Sequence, residues 1–418
     1  MTNSKVFASI ITIGDELLIG QVVDTNSSWM ARELNSAGIW LRRRVAVGDV
    51  AEEIKKALDE ESSEAEIILI TGGLGPTADD ITKPVLTEYF GGKLIMDEGA
   101  LNNVKSIFSR LNRPMIAVNE KQALVPDVCT VIQNKRGTAP GMWFEKNGKI
   151  FVSMPGVPHE MKGMMQDFVI PELHKHFTMP AIVSRTLLTA GIGESFLSEM
   201  VQDVEQALPE TIKLAYLPNF GMVRLRLTGI SADRKALEAD LDKYFTLLKD
   251  KVSEFLVTDK DETIPQVVAS LLVAKNQTVT AAESCTGGYI AHLLTAESGS
   301  SAYFKGGIVS YSNELKINLL NVPATVLETN GAVSEETVRA MVAGMLKAGN
   351  SDYSVAVSGI MGPNGGSAEK PVGLVWIGVG NATETMSQQF NFRFDRSRNI
   401  ELTANNALNM LRKFIQSH

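Results

Sequence analysis

Gln277-Thr-Val-Thr280-Ala281-Ala282-Glu283-Ser284-Cys285-Thr286-Gly287-Gly288-Tyr289-Ile-Ala-His-Leu-Leu294 reads as a β-prone segment, a serine turn and a helix. The apolar residues after Tyr289 fall at helical spacing, and the paired glycines mark the break before them. A strand that feeds a helix through a tight turn is the repeating unit of an α/β sheet. Such a turn exposes a hydroxyl at the end of the strand. The unpaired N–H groups of the helix start can meet a phosphate or a developing oxyanion. Serine there also caps helices, so the turn alone leaves both nucleophile and cap open.

The flanking sequence repeats the pattern. Glu262-Thr-Ile-Pro265 starts a helix that runs to about Lys275. Phe304 to Tyr311 is a strand, and Ser312-Asn313-Glu314-Leu315-Lys316 begins the next helix. Asn330-Gly331-Ala-Val-Ser334 is a loop with Ser334 as N-cap. Strands follow at Tyr353–Val357, Val372–Val379 and Phe390–Phe394, before a terminal helix behind Asp395-Arg396. Residues 257–418 therefore read as one α/β domain.

The N-terminal part has the same grammar. Val6–Ile13 is a buried-type strand leading to Gly14-Asp15-Glu16-Leu17. Asp24-Thr25-Asn26 precedes a helix from about Trp29 to Leu34. A strand at Ile39–Val47, a helix at Val50–Glu60 and a strand at Glu66–Ile70 follow. The last ends in Thr71-Gly72-Gly73-Leu74-Gly75-Pro76-Thr77-Ala78-Asp79-Asp80, ahead of a helix at Thr82–Tyr89. This predicts a mainly parallel sheet with helices on both faces over residues 1–175. Ligands in such folds sit at the carboxyl ends of strands, so the acidic and glycine-rich motifs can share one cleft. Gly72, Gly73 and Gly75 allow close approach to a phosphate, with Thr77 beside them. The adjacent carboxylates Asp79 and Asp80, with Asp15 and Glu16, can hold a hard divalent cation against phosphate oxygens. Asp79, Asp80 and Thr82 can equally favour the helix start electrostatically.

Residues 176–256 read as a small α+β module. It holds a strand at Ile182–Leu188, a helix at Ile192–Ala207 and a hairpin of Ile212–Tyr216 with Met222–Thr228. A charged helix follows at Ser231–Leu256, with Leu237, Leu241, Phe245 and Leu248 on one stripe.

The totals bound the function. The chain has 418 residues, enough for two or three domains. Its net charge of −8 argues against a general nucleic-acid or anionic-membrane binder. Cys129 and Cys285 are the only cysteines and build no disulfide framework. No apolar run reaches membrane-span length, and Met1 to Lys5 lacks the layout of a signal peptide. The expectation is a cytoplasmic protein.

Several of these motifs, in order, resemble the CinA family. In the N-terminal part they are Gly14-Asp15-Glu16-Leu17, Asp24-Thr25-Asn26, Thr71–Thr77 with Asp79-Asp80, and Met154-Pro155-Gly156-Val157-Pro158. That part is similar to molybdopterin-binding proteins with a three-layer α/β fold. The resemblance implies an ADP-ribose pyrophosphatase that uses a divalent metal ion, Mg2+, Mn2+ or Co2+. Leu74 stands where molybdopterin-binding relatives carry threonine, which counts against molybdopterin handling. The middle module corresponds to the family's KH-like fold. Its Gly191-Ile-Gly-Glu194 departs from the usual KH loop, so a spacer or dimer-contact role is expected rather than RNA binding.

The C-terminal match covers Glu283–Gly288, Tyr311–Lys316, Gly331–Ser334, Ser358–Pro363 and Lys370–Gly373. It resembles the family's nicotinamide mononucleotide deamidase domain, an α/β amidohydrolase that needs no cofactor. A serine nucleophile needs a base, and none of the five histidines lies in a C-terminal motif. Lys316 is the best base candidate, and the resemblance supports a Ser284–Lys316 dyad. Such a lysine must be neutral, which burial or a nearby cation achieves. Ser358 is expected to orient the lysine or relay a proton. Backbone N–H groups near Cys285, Thr286 and Gly287 can form an oxyanion hole. Arg396 or Arg398, with the loop holding Gly359 and Gly362, can take the phosphate. Tyr311 and Asn313 can contact ring or ribose. Cys285 is the rival nucleophile. Two departures from the family pattern are Met361, where alanine is usual, and Ile400, near a usual second arginine. The substrates expected are nicotinamide mononucleotide and ADP-ribose, in a homodimer. The alternatives are a molybdopterin-handling protein and a non-enzymatic regulator linked to competence or DNA damage.

Overall fold

The computed structural model describes residues 5–77 and 79–418. Ala78 of the Thr71–Asp80 motif and the first four residues of the leader reading lie outside the described residues. Packing divides the chain into two compact units, Met1–Val183 with Ile230–Glu238, and Ser184–Gly229 with Ala239–His418.

The first unit contains β1 (Phe7–Ile13), β2 (Trp40–Val47), β3 (Ile67–Thr71), β4 (Leu94–Met96), β5 (Leu124–Pro126), β6 (Thr130–Ile132), β7 (Gly141–Lys146) and β8 (Lys149–Met154). Six of these form one sheet in the order β2-β1-β3-β8-β7-β6. β2, β1, β3 and β8 run parallel, while β7 and β6 are antiparallel additions. The apolar run Ile67-Ile-Leu-Ile70 is buried on both faces, as a central parallel strand requires. Alternation assigns the faces: Ile67 and Leu69 pack with Met30, Leu34, Met161 and Met164, while Ile68 and Ile70 pack with Ile54, Leu58, Val85 and Leu86. The result is a three-layer helix–sheet–helix unit.

The second unit holds a four-stranded sheet, β10-β11-β9-β12, built from β9 (Ala181–Ala190), β10 (Ile212–Asn219), β11 (Met222–Ser231) and β12 (Leu256–Thr258). It also holds a five-stranded sheet of β13 (Val279–Glu283), β14 (Phe304–Val309), β15 (Tyr353–Gly359), β16 (Leu374–Gly380) and β17 (Thr385–Asn391), in the order β14-β13-β15-β16-β17. β14, β13 and β15 are parallel, and β16 and β17 are antiparallel. One face packs on the helices Ile264–Lys275 and Arg396–Ser417; the other meets Leu320, Met341, Val342 and Met345.

Two boundaries differ most from the expectation. The charged helix spans Arg234–Lys251, and Leu256 opens a strand instead of closing that helix. Its apolar stripe ends at Leu248 and Val252, and the chain then turns with Leu256 N–H donating to Ser253 O. The last strand is Thr385–Asn391 rather than Phe390–Phe394. It is an edge strand with Met386, Gln388, Gln389 and Asn391 exposed, so it offers no continuous apolar run.

Candidate active site

Ser284 follows β13, the strand between β14 and β15, and its N–H donates to Val357 O at 3.1 Å. The carboxyl ends of three parallel strands thus bring Ser284, Ser310 and Ser358 together. Gly287 (φ +63°) and Gly288 (φ +100°) turn the chain into the helix Tyr289–Thr295 with left-handed backbone that favours glycine. Sequence reasoning missed what holds this turn. Glu283 is buried, and its carboxylate accepts from Thr286 Oγ1 (2.6 Å), Gly288 N (3.0 Å), Ile290 N (3.1 Å) and Ala291 N (2.7 Å). The helix start is therefore filled by an internal carboxylate and is not open to a phosphate, contrary to the first reading of the turn. The Thr286 hydroxyl is likewise committed inward. Among the described residues the N–H groups of Cys285 and Thr286 have no acceptor, whereas that of Gly287 donates to Ser284 O at 3.3 Å. Two amides remain for an oxyanion, and Gly287 is not one of them. The signal for Glu283 was an acidic residue directly before a turn into a helix.

Lys316 sits on the helix Asn313–Leu320, capped by Ser312 Oγ. It is 1% exposed and Ser284 is 8% exposed. Its Nζ lies 3.0 Å from Ser284 Oγ, 2.7 Å from Ser310 O and 3.5 Å from Tyr311 O. Burial holds the amine below the ordinary lysine range, and no carboxylate pairs with it among the described residues. A neutral amine has two N–H donors and one lone pair. Two carbonyls face the donors, which leaves the lone pair for the Ser284 hydroxyl. Cys285 is buried, and burial pushes its thiol up to about 12, far from a nucleophilic thiolate at neutral pH.

Other expected residues separate into two groups. Arg396 begins the terminal helix behind its cap Asp395, donating from Nη1 to Gly362 O (2.9 Å) and from Nη2 to Tyr311 Oη (3.1 Å). Arg396, Tyr311 and the Gly359–Gly362 loop therefore meet. Ser358 does not reach the lysine: its hydroxyl donates to Ala332 O at 2.6 Å, so it fastens the Gly331–Ser334 loop. The lysine is oriented by the Ser310 carbonyl instead. Arg398 lies over the Phe394 ring at 4.0 Å and is not turned to the loop. Asn313 is exposed, and its side chain makes no hydrogen bond among the described residues. The buried Ser310 hydroxyl, unpartnered among the described residues, is a further polar group that sequence reasoning missed.

The first unit has its own cleft of about 500 Å3, lined by all four N-terminal motifs, Glu16, Asp24, Gly72, Gly73, Gly75, Asp80 and Val157 among them. Asn26 Nδ2 donates to Gly156 O at 2.7 Å and ties two motifs. Asp80 is occupied within its loop, accepting from Gly75 N (2.8 Å), Thr77 N (2.9 Å) and the Thr77 hydroxyl. Asp15 does not line the cleft; its carboxylate accepts from Asp49 N at 3.2 Å, and Asp49 accepts from Asp15 N at 3.2 Å. Glu16, expected beside it, does line the cleft, as does Asp49, which had escaped the sequence reading. Burial, then the charges of Asp15, Glu16 and Asp79, hold the Asp49 carboxyl above the usual range. Among the described residues no group of three or more Asp, Glu, His or Cys side chains is placed to hold a metal ion. A hard cation can still be held by one or two carboxylates plus phosphate oxygens, and Glu16 with Asp49 suits that division. No helix among the described residues is long and apolar enough to cross a membrane.

Three family models match this sequence: the "CinA C-terminal domain" over residues 261–415, the "Probable molybdopterin binding domain" over 9–175, and the "Damage-inducible protein CinA KH domain" over 184–257. A CinA-like protein of Cytophaga hutchinsonii is 44% identical over 411 residues, covering 98% of both chains. One from Flavobacterium psychrophilum is 42% identical over 410 residues, again covering 98% of each. The solved competence damage-inducible protein A of Klebsiella pneumoniae is 35% identical, with 37% of this chain and 95% of that one covered and a TM-score of 0.36.

Proposed function

This chain belongs to the CinA family, and from that premise we propose that its C-terminal domain is an amidohydrolase acting on nicotinamide mononucleotide. The observation that carries the reading is a buried lysine amine 3.0 Å from the hydroxyl of a turn serine. Neutral Lys316 takes the Ser284 proton as Oγ bonds to the carboxamide carbon. The carbonyl oxygen gains the negative charge and is met by the N–H groups of Cys285 and Thr286. Lys316, now protonated, passes the proton to the departing nitrogen, which leaves as ammonia when the C–N bond breaks. Water then attacks the Ser284 ester, with Lys316 again as base, releasing nicotinate mononucleotide and restoring the hydroxyl. Arg396, held by Gly362 and Tyr311, supplies a planar cation for the substrate phosphate.

For the N-terminal domain we infer hydrolysis of the ADP-ribose pyrophosphate with a divalent cation. Glu16 and Asp49 would hold the ion, which supplies charge neutralisation at the phosphate oxygens. Gly72 and Gly73 bring backbone close to the same oxygens. We also infer a homodimer in the cytoplasm.

The test is ammonia release from nicotinamide mononucleotide by the full chain and by Ser284→Ala. Ser284→Ala is expected to lose activity by at least about a hundredfold while keeping its melting temperature. A variant that retains wild-type turnover would remove Ser284 from the chemistry.

A further inference from the structure

A second concave site lies in the unit formed by Ser184–Gly229 and Ala239–His418, away from the dyad. It is a groove of about 340 Å3 between the tip of the β10–β11 hairpin and the helices Tyr289–Thr295 and Arg396–Ser417. Phe220, Tyr289, Arg224, Glu297, Glu401 and Asn405 line it, together with aliphatic side chains.

The hairpin tip is strained. Asn219 pairs with Met222, so Phe220 and Gly221 form a two-residue turn, and both have positive φ, +43° and +79°. That turn suits Asn, Asp or Gly at its first position. A bulky phenylalanine there pays a backbone cost that glycine would avoid. The tip is also fastened: Asn405 Nδ2 donates to Phe220 O at 3.4 Å, and Leu402 lies against Gly221. The turn thus holds an aromatic ring at the edge of the groove, where it offers a face for stacking.

The lining states the ligand's chemistry. Two aromatic rings, Phe220 and Tyr289, offer π faces. Glu297 and Glu401 outnumber Arg224, whose charge is already offset by Asp261 at 3.6 Å and whose Nη2 donates to Glu262 O at 3.2 Å. An anionic ligand is disfavoured in that field and a cation is favoured. Arg224 Nε is buried and faces Asp261 Oδ1 at 3.6 Å, so this side chain is turned to its own carboxylate. We propose that this groove binds a small aromatic cation, at a site separate from the Ser284 turn. Its walls are the two helices that begin next to Ser284 and at Arg396, so a ligand here contacts both supports of the candidate active site.

The test titrates the full chain with 3-acetyl-1-methylpyridinium, an aromatic cation with one carbonyl, and with 3-acetylbenzoate, the same kind of ring as an anion. Binding is read by ligand-observed NMR, up to about 10 mM. The cation is expected to bind saturably and at least about fivefold more tightly than the anion. Phe220→Gly is expected to melt at a higher temperature, because the strain is gone, and to bind the cation at least about fivefold more weakly. Glu401→Gln is expected to weaken it as well. No saturable binding of the cation, equal binding of the anion, unchanged affinity in Phe220→Gly, or a lower melting temperature in that variant overturns the proposal.

Discussion

Replacing Lys316 by methionine separates the lysine's chemical role from its packing role. The side chain keeps nearly the same length in a position 1% exposed, and the buried amine disappears. What the reaction loses is a base 3.0 Å from Ser284 Oγ. Positioned general bases contribute roughly 100- to 10,000-fold, or about 3–5 kcal/mol of barrier. The pH dependence adds a second signature. Burial lowers the Lys316 pKa from its ordinary value of 10.5. Activity requires the neutral amine, so kcat/KM rises with pH below the lowered pKa and levels above it. The assay is ammonia release from nicotinamide mononucleotide between about pH 6 and pH 9.5, for wild type and Lys316→Met. Wild type is expected to show a rising limb with a slope near one per pH unit that flattens short of 10.5. Lys316→Met is expected to lose at least about a hundredfold at the plateau and to lose the rising limb. A flat wild-type profile, or a variant with more than about a tenth of the wild-type rate, refutes the assignment of Lys316 as the base.

Lys83 gives a stability prediction in the first unit. It is buried, donates to Gln122 O at 2.9 Å, and burial lowers its pKa from 10.5 to about 8. Between those values the unfolded chain binds the extra proton, so stability rises with pH across that window and is flat below it. The span corresponds to about 3 kcal/mol. Urea unfolding of wild type minus Lys83→Met, followed by the fluorescence of Trp29, Trp40 and Trp143, reads it; a difference curve flat from pH 8 to pH 10.5 contradicts it. Cys285 gives a reactivity prediction. With burial pushing its thiol up to about 12, iodoacetamide at pH 8 is expected to leave the folded chain's ammonia release intact over hours in which an exposed thiol reacts fully. Rapid inactivation at Cys285 would revive it as the nucleophile.

What the sequence could reveal follows from how each signal is made. The strands ending at Ile13 and Thr71 are buried on both sides and stand out as apolar runs before glycine turns, whereas Val279-Thr-Ala-Ala-Glu283, equally buried, is marked mainly by the paired glycines after it. The dyad was legible only because a lysine in a motif was paired with a serine 32 residues away by resemblance; helix periodicity alone leaves Lys316 in solvent. Ser358 was misread because its residue type and strand-end position fit a relay, whereas its partner, Ala332 O, belongs to a distant loop. Asp80 and Asp15 were read as ligands from charge and position, and local hydrogen bonds claim their carboxylates. Within residues 90–153 no helix or strand was expected individually. Yet Asn147-Gly148, with φ of +54° and +74°, is a hairpin signal between β7 and β8.

Glu283 also bears on the ionic environment in which such an enzyme works. A helix beginning beside a reactive hydroxyl would ordinarily collect chloride, sulfate or free phosphate from the surroundings. Here the chain carries its own counter-anion, anchored by Thr286 and three backbone N–H groups. The helix start offers dissolved anions nothing to bind, so changes in the salt of the medium should reach the exposed guanidinium of Arg396, proposed to hold phosphate, before they reach Ser284.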